Sequence, residues 1–146
     1  MALHLIKLCV GCESPQDLRE WQEARLAERR KRGERLVLQH LTRSTPKRRD
    51  EVLDGGSLYW VIKGYVRVRQ RIVGLEAAVG EDGEPRCAII YDPELVAVTP
   101  RQHRPFQGWR YLEPERAPED LREGEWPQGE EPSSGMLAEL RELGLL

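Results

Sequence analysis

Between Tyr65 and Ala77 the chain alternates with a period of two, with Val66, Val68 and Ile72 on one parity and Arg67, Arg69 and Arg71 on the other. Successive side chains of a strand point to opposite faces, so this run is expected to be extended, with one face buried and one wet. Gln70 falls on the apolar parity, where a buried amide needs hydrogen-bond partners. A second run, Ser57 to Lys63, precedes it across Gly64. The two read as a hairpin, and a fold that contains this chain must accommodate a long antiparallel strand.

The rest of the chain supplies further elements. Leu3 to Val10 reads as a buried strand. Ser14-Pro15 opens a helix, with serine as N-cap, proline at the first helical position and Asp17 in the first turn; Gly33 stops it. Leu18, Trp21 and Leu26 are expected on its buried face, with the stems of Arg25 and Arg29 beside them. Arg35 to Thr42 reads as a strand. Thr45-Pro46 is expected to start a short helix that ends at Gly55-Gly56. Strands are expected at Arg86–Tyr91 and Leu95–Thr99, joined through Gly80-Glu81-Asp82-Gly83. Arg101 to Leu112 is expected to be a loop. The order β-α-β-α-β-β-β-β lacks the regular alternation of a doubly wound sheet. An α+β fold is expected instead: a compact, mainly antiparallel sheet or half-barrel with two helices in the N-terminal half.

Residues 1–112 are expected to form one domain. The segment 113–146 is acidic and proline-rich, with a short helix expected over Met136–Leu145 that docks on the domain. A chain of 146 residues with 39% hydrophobic side chains can bury a single core. No apolar run approaches the roughly 20 residues of a membrane span, and Met1 to Leu8 has neither a basic leader nor a cleavage signature. Three cysteines do not make a disulfide scaffold. These features point to the cytoplasm.

Charge is distributed unevenly along the chain. Arg25 to Arg49 carries ten basic residues against two acidic ones, and Glu113 to Leu146 carries ten acidic residues against three basic ones. A polyanion partner, or an acidic segment that covers a basic face, is the expectation.

Cys9-Val10-Gly11-Cys12 precedes the first helix, a position that activates thiols. The redox reading requires a βαβ context that is missing, and zinc would need Cys87, His4, His40 or His103 to complete the ligand set. The pair is therefore expected to be structural, with Cys9 in the core, Cys12 incidental, no stable disulfide and no metal. No phosphate-binding glycine loop or nucleophile elbow occurs, and no cofactor is implied.

The basic residues carry the functional expectation. Arg67, Arg69 and Arg71, spaced about 6.6–6.8 Å apart along a strand, match the demands of a phosphate backbone. Lys47, Arg48 and Arg49 lie upstream. In the Arg104–Tyr111 segment, Arg104, Trp109 and Arg110 interleave rings and charge, the pattern that stacks unpaired bases and holds phosphates. An RNA-binding module using these residues is expected. The alternatives are a small enzyme acting on a nucleoside or nucleotide through Lys63, Thr45 and Glu76, or a factor whose acidic segment binds a protein partner.

The blocks MALHLIKLCVG (1–11), GGSLYWVIKG (55–64), VRQRI (68–72) and RPFQGWRYL (104–112) resemble the bacterial "domain of unknown function 1489" family. This resemblance implies a family but no activity. Thr45 to Gly56 and the hairpin ending Ile72-Val73-Gly74-Leu75-Glu76 are fainter in their similarity to PUA-like RNA-associated barrels, including the ASCH and EVE groups. That similarity implies an RNA-associated half-barrel.

Overall fold

The computed structural model describes residues 2–121. Its elements run β1 (His4–Leu8), α1 (Pro15–Arg32), β2 (Leu38–Thr42), α2 (Arg49–Leu53), β3 (Ser57–Ile62), β4 (Tyr65–Val79), β5 (Pro85–Tyr91), β6 (Val96–Gln102) and β7 (Trp109–Leu112), followed by a 3₁₀ turn at Pro114–Arg116. This is an α+β fold. The strands follow the order β2-β5-β4-β3-β1-β7, with β6 also paired to β4. All pairings are antiparallel except β1 with β3. No helix among the described residues is long and apolar enough to cross a membrane.

The first helix forms as its caps dictate. The Ser14 hydroxyl accepts from the Asp17 amide at 3.3 Å, Pro15 occupies the first turn, and Gly33 takes the left-handed conformation at φ 70°. Its buried stripe is Pro15, Leu18 and Gln22, continued by half-buried Leu26. Trp21 departs from expectation. It is 42% exposed, and the Arg25 guanidinium lies over its ring at 3.9 Å. The helix turns Gln22 inward instead, because Gln22 meets a partner there that indole could not serve.

That partner is Gln70. Its side-chain nitrogen donates to Gln22 Oε1 at 2.8 Å and to the Asp92 carbonyl at 3.1 Å. Its oxygen accepts from Gln22 Nε2 and from the Trp60 indole, both at 2.8 Å. The fully buried amide therefore has both donors and both acceptor positions served.

The β3–β4 hairpin turns at Lys63-Gly64, both with positive φ, as a two-residue turn of this hand requires. Beyond the turn, the simple alternation fails. Trp60 pairs with Val68 and Val61 with Val66, so the register steps over Arg67. A second step lies between Ile72 and Gly74 against β5. Each bulge re-aims the residues beyond it and sharpens the twist. As a result Val66 joins Ile6, Tyr59, Val61, Val98 and Phe106 on one side of the sheet, while Val68, Ile72 and Leu75 join the main core on the other. The expected common face of Val66, Val68 and Ile72 does not exist.

The sheet is strongly curled. His40 of β2 and Trp60 of β3 are separated in the strand order by β5 and β4, yet their rings meet edge to face at 6.1 Å. Trp60 also meets Tyr91 at 6.0 Å. The segment that follows β2 meets β7 through side chains. The Trp109 indole donates to the Ser44 carbonyl at 2.9 Å, and the Arg48 amide donates to the Tyr111 hydroxyl at 3.1 Å. The main core fills this curl under α1.

Other expectations shift locally. The second helix starts at Arg49 rather than at Thr45-Pro46, and no side chain caps it. The segment 101–112 is not wholly a loop, since β6 runs to Gln102 and Trp109–Leu112 pairs with β1. The acidic segment begins as the 3₁₀ turn and an isolated bridge from Asp120 to Val98. The helix expected at Met136–Leu145 lies outside the described residues.

Candidate functional site

The bulge at Arg67 breaks the arginine row before any ligand is considered. Arg69 and Arg71 stand opposite Tyr59 and Ser57, and residues directly opposite in a sheet share a face. Arg71 is exposed. Arg69 is committed within the chain: Nε and Nη2 each reach one Asp120 carboxylate oxygen at 2.7 Å, and Nη1 donates to the Ser57 hydroxyl at 3.1 Å. Asp120 is held below the usual carboxylate range, chiefly by this hydrogen bonding. Arg48 is similarly held by Glu51 and by Glu113 at 3.1 Å. Arg49 donates to the Leu75 carbonyl, and Lys47 is exposed. In the Arg104–Tyr111 segment, Arg104 is exposed, the Arg110 guanidinium lies 4.9 Å from the Phe106 ring centroid, and Trp109 is half-buried against the core. The structure thus distributes the nine expected binding residues over several surfaces.

The enzyme triad does not assemble. Lys63 sits at the hairpin turn, 3.5 Å from Glu13, whereas Glu76 lies toward the other end of β4 in an ion pair with Arg35 at 3.1 Å. Thr45 is exposed on the segment after β2.

What the fold does bring together is a group at the open end of the curl. β1 contributes Lys7, which stands opposite Trp109 of β7. β2 contributes His40, and α1 contributes Arg25 and Arg29. A cavity of about 370 Å³ is lined by Arg25, Arg29, Val37, Leu38, Gln39, His40 and Leu41, with Glu81 on its wall. Burial first, then the charges of Lys7 and Arg25, push the His40 imidazole down to about 4. Burial also lowers Lys7. Tyr91, on the same side of the sheet, is pushed up to about 12 by burial. Among the described residues, no carboxylate forms an ion pair with Lys7 or Arg25. Glu81 on the cavity wall and Glu34, paired with Arg29 at 3.8 Å, offset part of this positive charge, and an anion can relieve the rest. The exposed Trp21 ring lies under Arg25, and the last turn of α1 extends the basic surface through Arg30, Lys31 and Arg32.

Lys7, Trp21, Arg25 and His40 are not among the binding residues that the sequence pattern picks out. Lys7 has a local signal as the only charged residue between Leu3 and Val10 apart from a histidine. Placing it beside His40 requires knowing that the sheet curls.

On the opposite side of β1, His4 Nδ1 accepts from the Ser57 amide at 3.0 Å, and its ring meets Tyr59 edge to face at 5.0 Å. Burial and Arg69 lower its pKa. Cys9 and Cys12 stand side by side with their sulfurs in contact, so Cys12 is placed against Cys9 rather than incidentally. The turn through Gly11 at φ 86° brings the two residues within disulfide reach, their Cα atoms 5.7 Å apart. No group of three or more His, Cys, Asp or Glu side chains among the described residues is arranged to hold a metal ion.

The family model described as protein of unknown function (DUF1489) matches residues 5–146, and the chain belongs to that family. No curated protein and no solved structure matches the chain, so nothing there supports the similarity to PUA-like barrels.

Proposed function

We propose that the protein binds single-stranded RNA at the open end of its curled sheet, with phosphates held by Arg25, Arg29 and Lys7 and a base stacked on a neighbouring aromatic ring. The observation that carries this reading is the cavity lined by Arg25, Arg29 and His40, with the charge of Lys7 also felt at His40 and no carboxylate ion-paired to Lys7 or Arg25 among the described residues. A guanidinium offers paired hydrogen bonds to phosphate oxygens. Trp21, 42% exposed, supplies a ring on which an unpaired base can stack.

The extent of the basic surface favours a polymer over a lone nucleotide. It continues from the cavity to Arg30 and Lys31 on the last turn of α1, where Arg29 and Arg32 are paired with Glu34 and Glu28, farther than one phosphate group needs. The choice of RNA over DNA rests on the fainter similarity to PUA-like RNA-associated barrels. The Arg67–Arg71 face is a secondary surface here, because Arg69 is occupied by Asp120. The acidic segment, where described, pairs with the chain's own Arg48 and Arg69, which favours an internal cover over a protein partner.

Anisotropy titration of labelled single-stranded and double-stranded RNA at low salt tests the reading. Binding of the single strand in preference to the duplex is expected. A folded protein that binds neither contradicts it.

A further inference from the structure

We propose that Cys9 and Cys12 form a reversible dithiol–disulfide pair that exchanges with low-molecular-weight thiols and disulfides. This inference is independent of RNA binding. The spacing of two intervening residues returns the chain on itself through Gly11, whose φ of 86° favours glycine. The two Cα atoms stand 5.7 Å apart, within the roughly 4.4–6.8 Å range that disulfides span. The backbone supports the turn independently, since the Cys12 amide donates to the Cys9 carbonyl at 3.4 Å.

The surroundings make the two sulfurs unequal. Cys9 is buried in the main core, whereas Cys12 is half-buried beside Val10, which is 84% exposed. An incoming reagent therefore meets Cys12 first. The Ser14 N-cap, two residues beyond Cys12, starts an 18-residue helix, and Lys63 lies beside Glu13. The helix N-terminus places positive potential near the reacting thiolate, and the ion pair with Lys63 offsets the Glu13 charge beside it.

Oxidation then proceeds by two exchanges. The Cys12 thiolate attacks a disulfide RSSR, forming a Cys12–SR mixed disulfide and releasing RS⁻. Cys9, after losing its proton to solvent, attacks the Cys12 sulfur, forms the internal bond and releases a second RS⁻. Each RS⁻ takes up a proton. Two protein thiols and one RSSR thus become one internal disulfide and two RSH, and excess RSH reverses the sequence. Cys87 is buried on β5 and takes no part, which makes it an internal reference.

The test uses the full chain, reduced and then equilibrated with increasing ratios of oxidised to reduced glutathione. Each sample is acid-quenched, denatured, alkylated and weighed intact. Three alkylated thiols are expected at the reduced end and one at the oxidised end, the remaining thiol mapping to Cys87. C9S is expected to accumulate one glutathione on Cys12, because the resolving thiol is gone, whereas folded C12S should take up little. Three alkylatable thiols at every ratio, or an oxidised form linked through Cys87 or between chains, would overturn the proposal. Equal glutathione uptake by folded C9S and C12S would overturn the assignment of Cys12 as the entry sulfur.

Discussion

Arg69 and Asp120 face each other in parallel, Nε to Oδ1 and Nη2 to Oδ2, both at 2.7 Å. This pair ties the start of the acidic segment to the centre of the sheet. Beside it, the Thr99 amide donates to the Glu119 carbonyl at 2.8 Å and the Leu121 amide to the Ala97 carbonyl at 2.9 Å. The D120A variant should release the Arg69 guanidinium. Both partners are partly exposed, so the loss of stability should stay within about 1 kcal/mol. Polyanion binding at low salt should tighten, because a carboxylate is removed and a cation is freed. Urea unfolding and RNA titration of the same preparation check both parts; unchanged or weaker binding by the folded variant counts against internal covering.

Gln70 offers a sharper stability test. Q70L removes the acceptor for the Trp60 indole, the donor to the Asp92 carbonyl and the two hydrogen bonds that Gln70 makes to the Gln22 amide. Each buried polar group left unserved costs about 1–3 kcal/mol, so a total loss of about 3–5 kcal/mol is expected. Adding Q22L should recover part of that loss, because the buried Gln22 amide no longer stands unserved, although the Trp60 indole and the Asp92 carbonyl still lack Gln70 and Tyr91 loses Gln22. A double-mutant cycle by urea denaturation measures the coupling, which should be clearly non-additive.

The His40 imidazole, at about 4 in the folded chain, stands well below the ordinary histidine value of roughly 6.5. The unfolded chain therefore binds a proton in this window that the folded chain does not. Stability is expected to be full above about pH 6.5 and to decline as pH falls toward 4. His4 is also lowered and contributes in the same direction. H40Q should flatten the decline without abolishing it, as read from urea midpoints across that range. A slope unchanged in H40Q would show that His40 is not the main group responsible.

Local chemistry is well expressed in the sequence, and curvature is not. Ser14, Pro15 and Gly33 bound α1 because capping depends on neighbouring residues alone. The hairpin turn at Gly64 and the demand that Gln70 find partners are legible for the same reason. The bulge at Arg67 is not, because an extra residue in a strand is resolved by what its partners β3 and β6 require. That single step moves Val66 to the other side of the sheet and dismantles the arginine row. Likewise, Trp109 reads as a loop ring free for stacking, yet β7 pairs with β1 and its indole closes on Ser44. The cavity draws Arg25 from α1 and His40 from β2, and the charge of Lys7 on β1 reaches His40, so only the curl of the sheet unites them.

The most direct measurement compares R25Q with R71Q by RNA titration over a series of salt concentrations. Both arginines are exposed, and neither forms an ion pair with a carboxylate among the described residues, so either can be altered without leaving a carboxylate unpaired. Removing one phosphate contact on a single strand reduces the steepness of log K against log salt by about 0.7. The account predicts that R25Q weakens binding and flattens the slope by about that much, while R71Q remains close to the parent. A parent-like R25Q beside an R71Q with the flattened slope would place the phosphates on the opposite face of the sheet and contradict the proposed site.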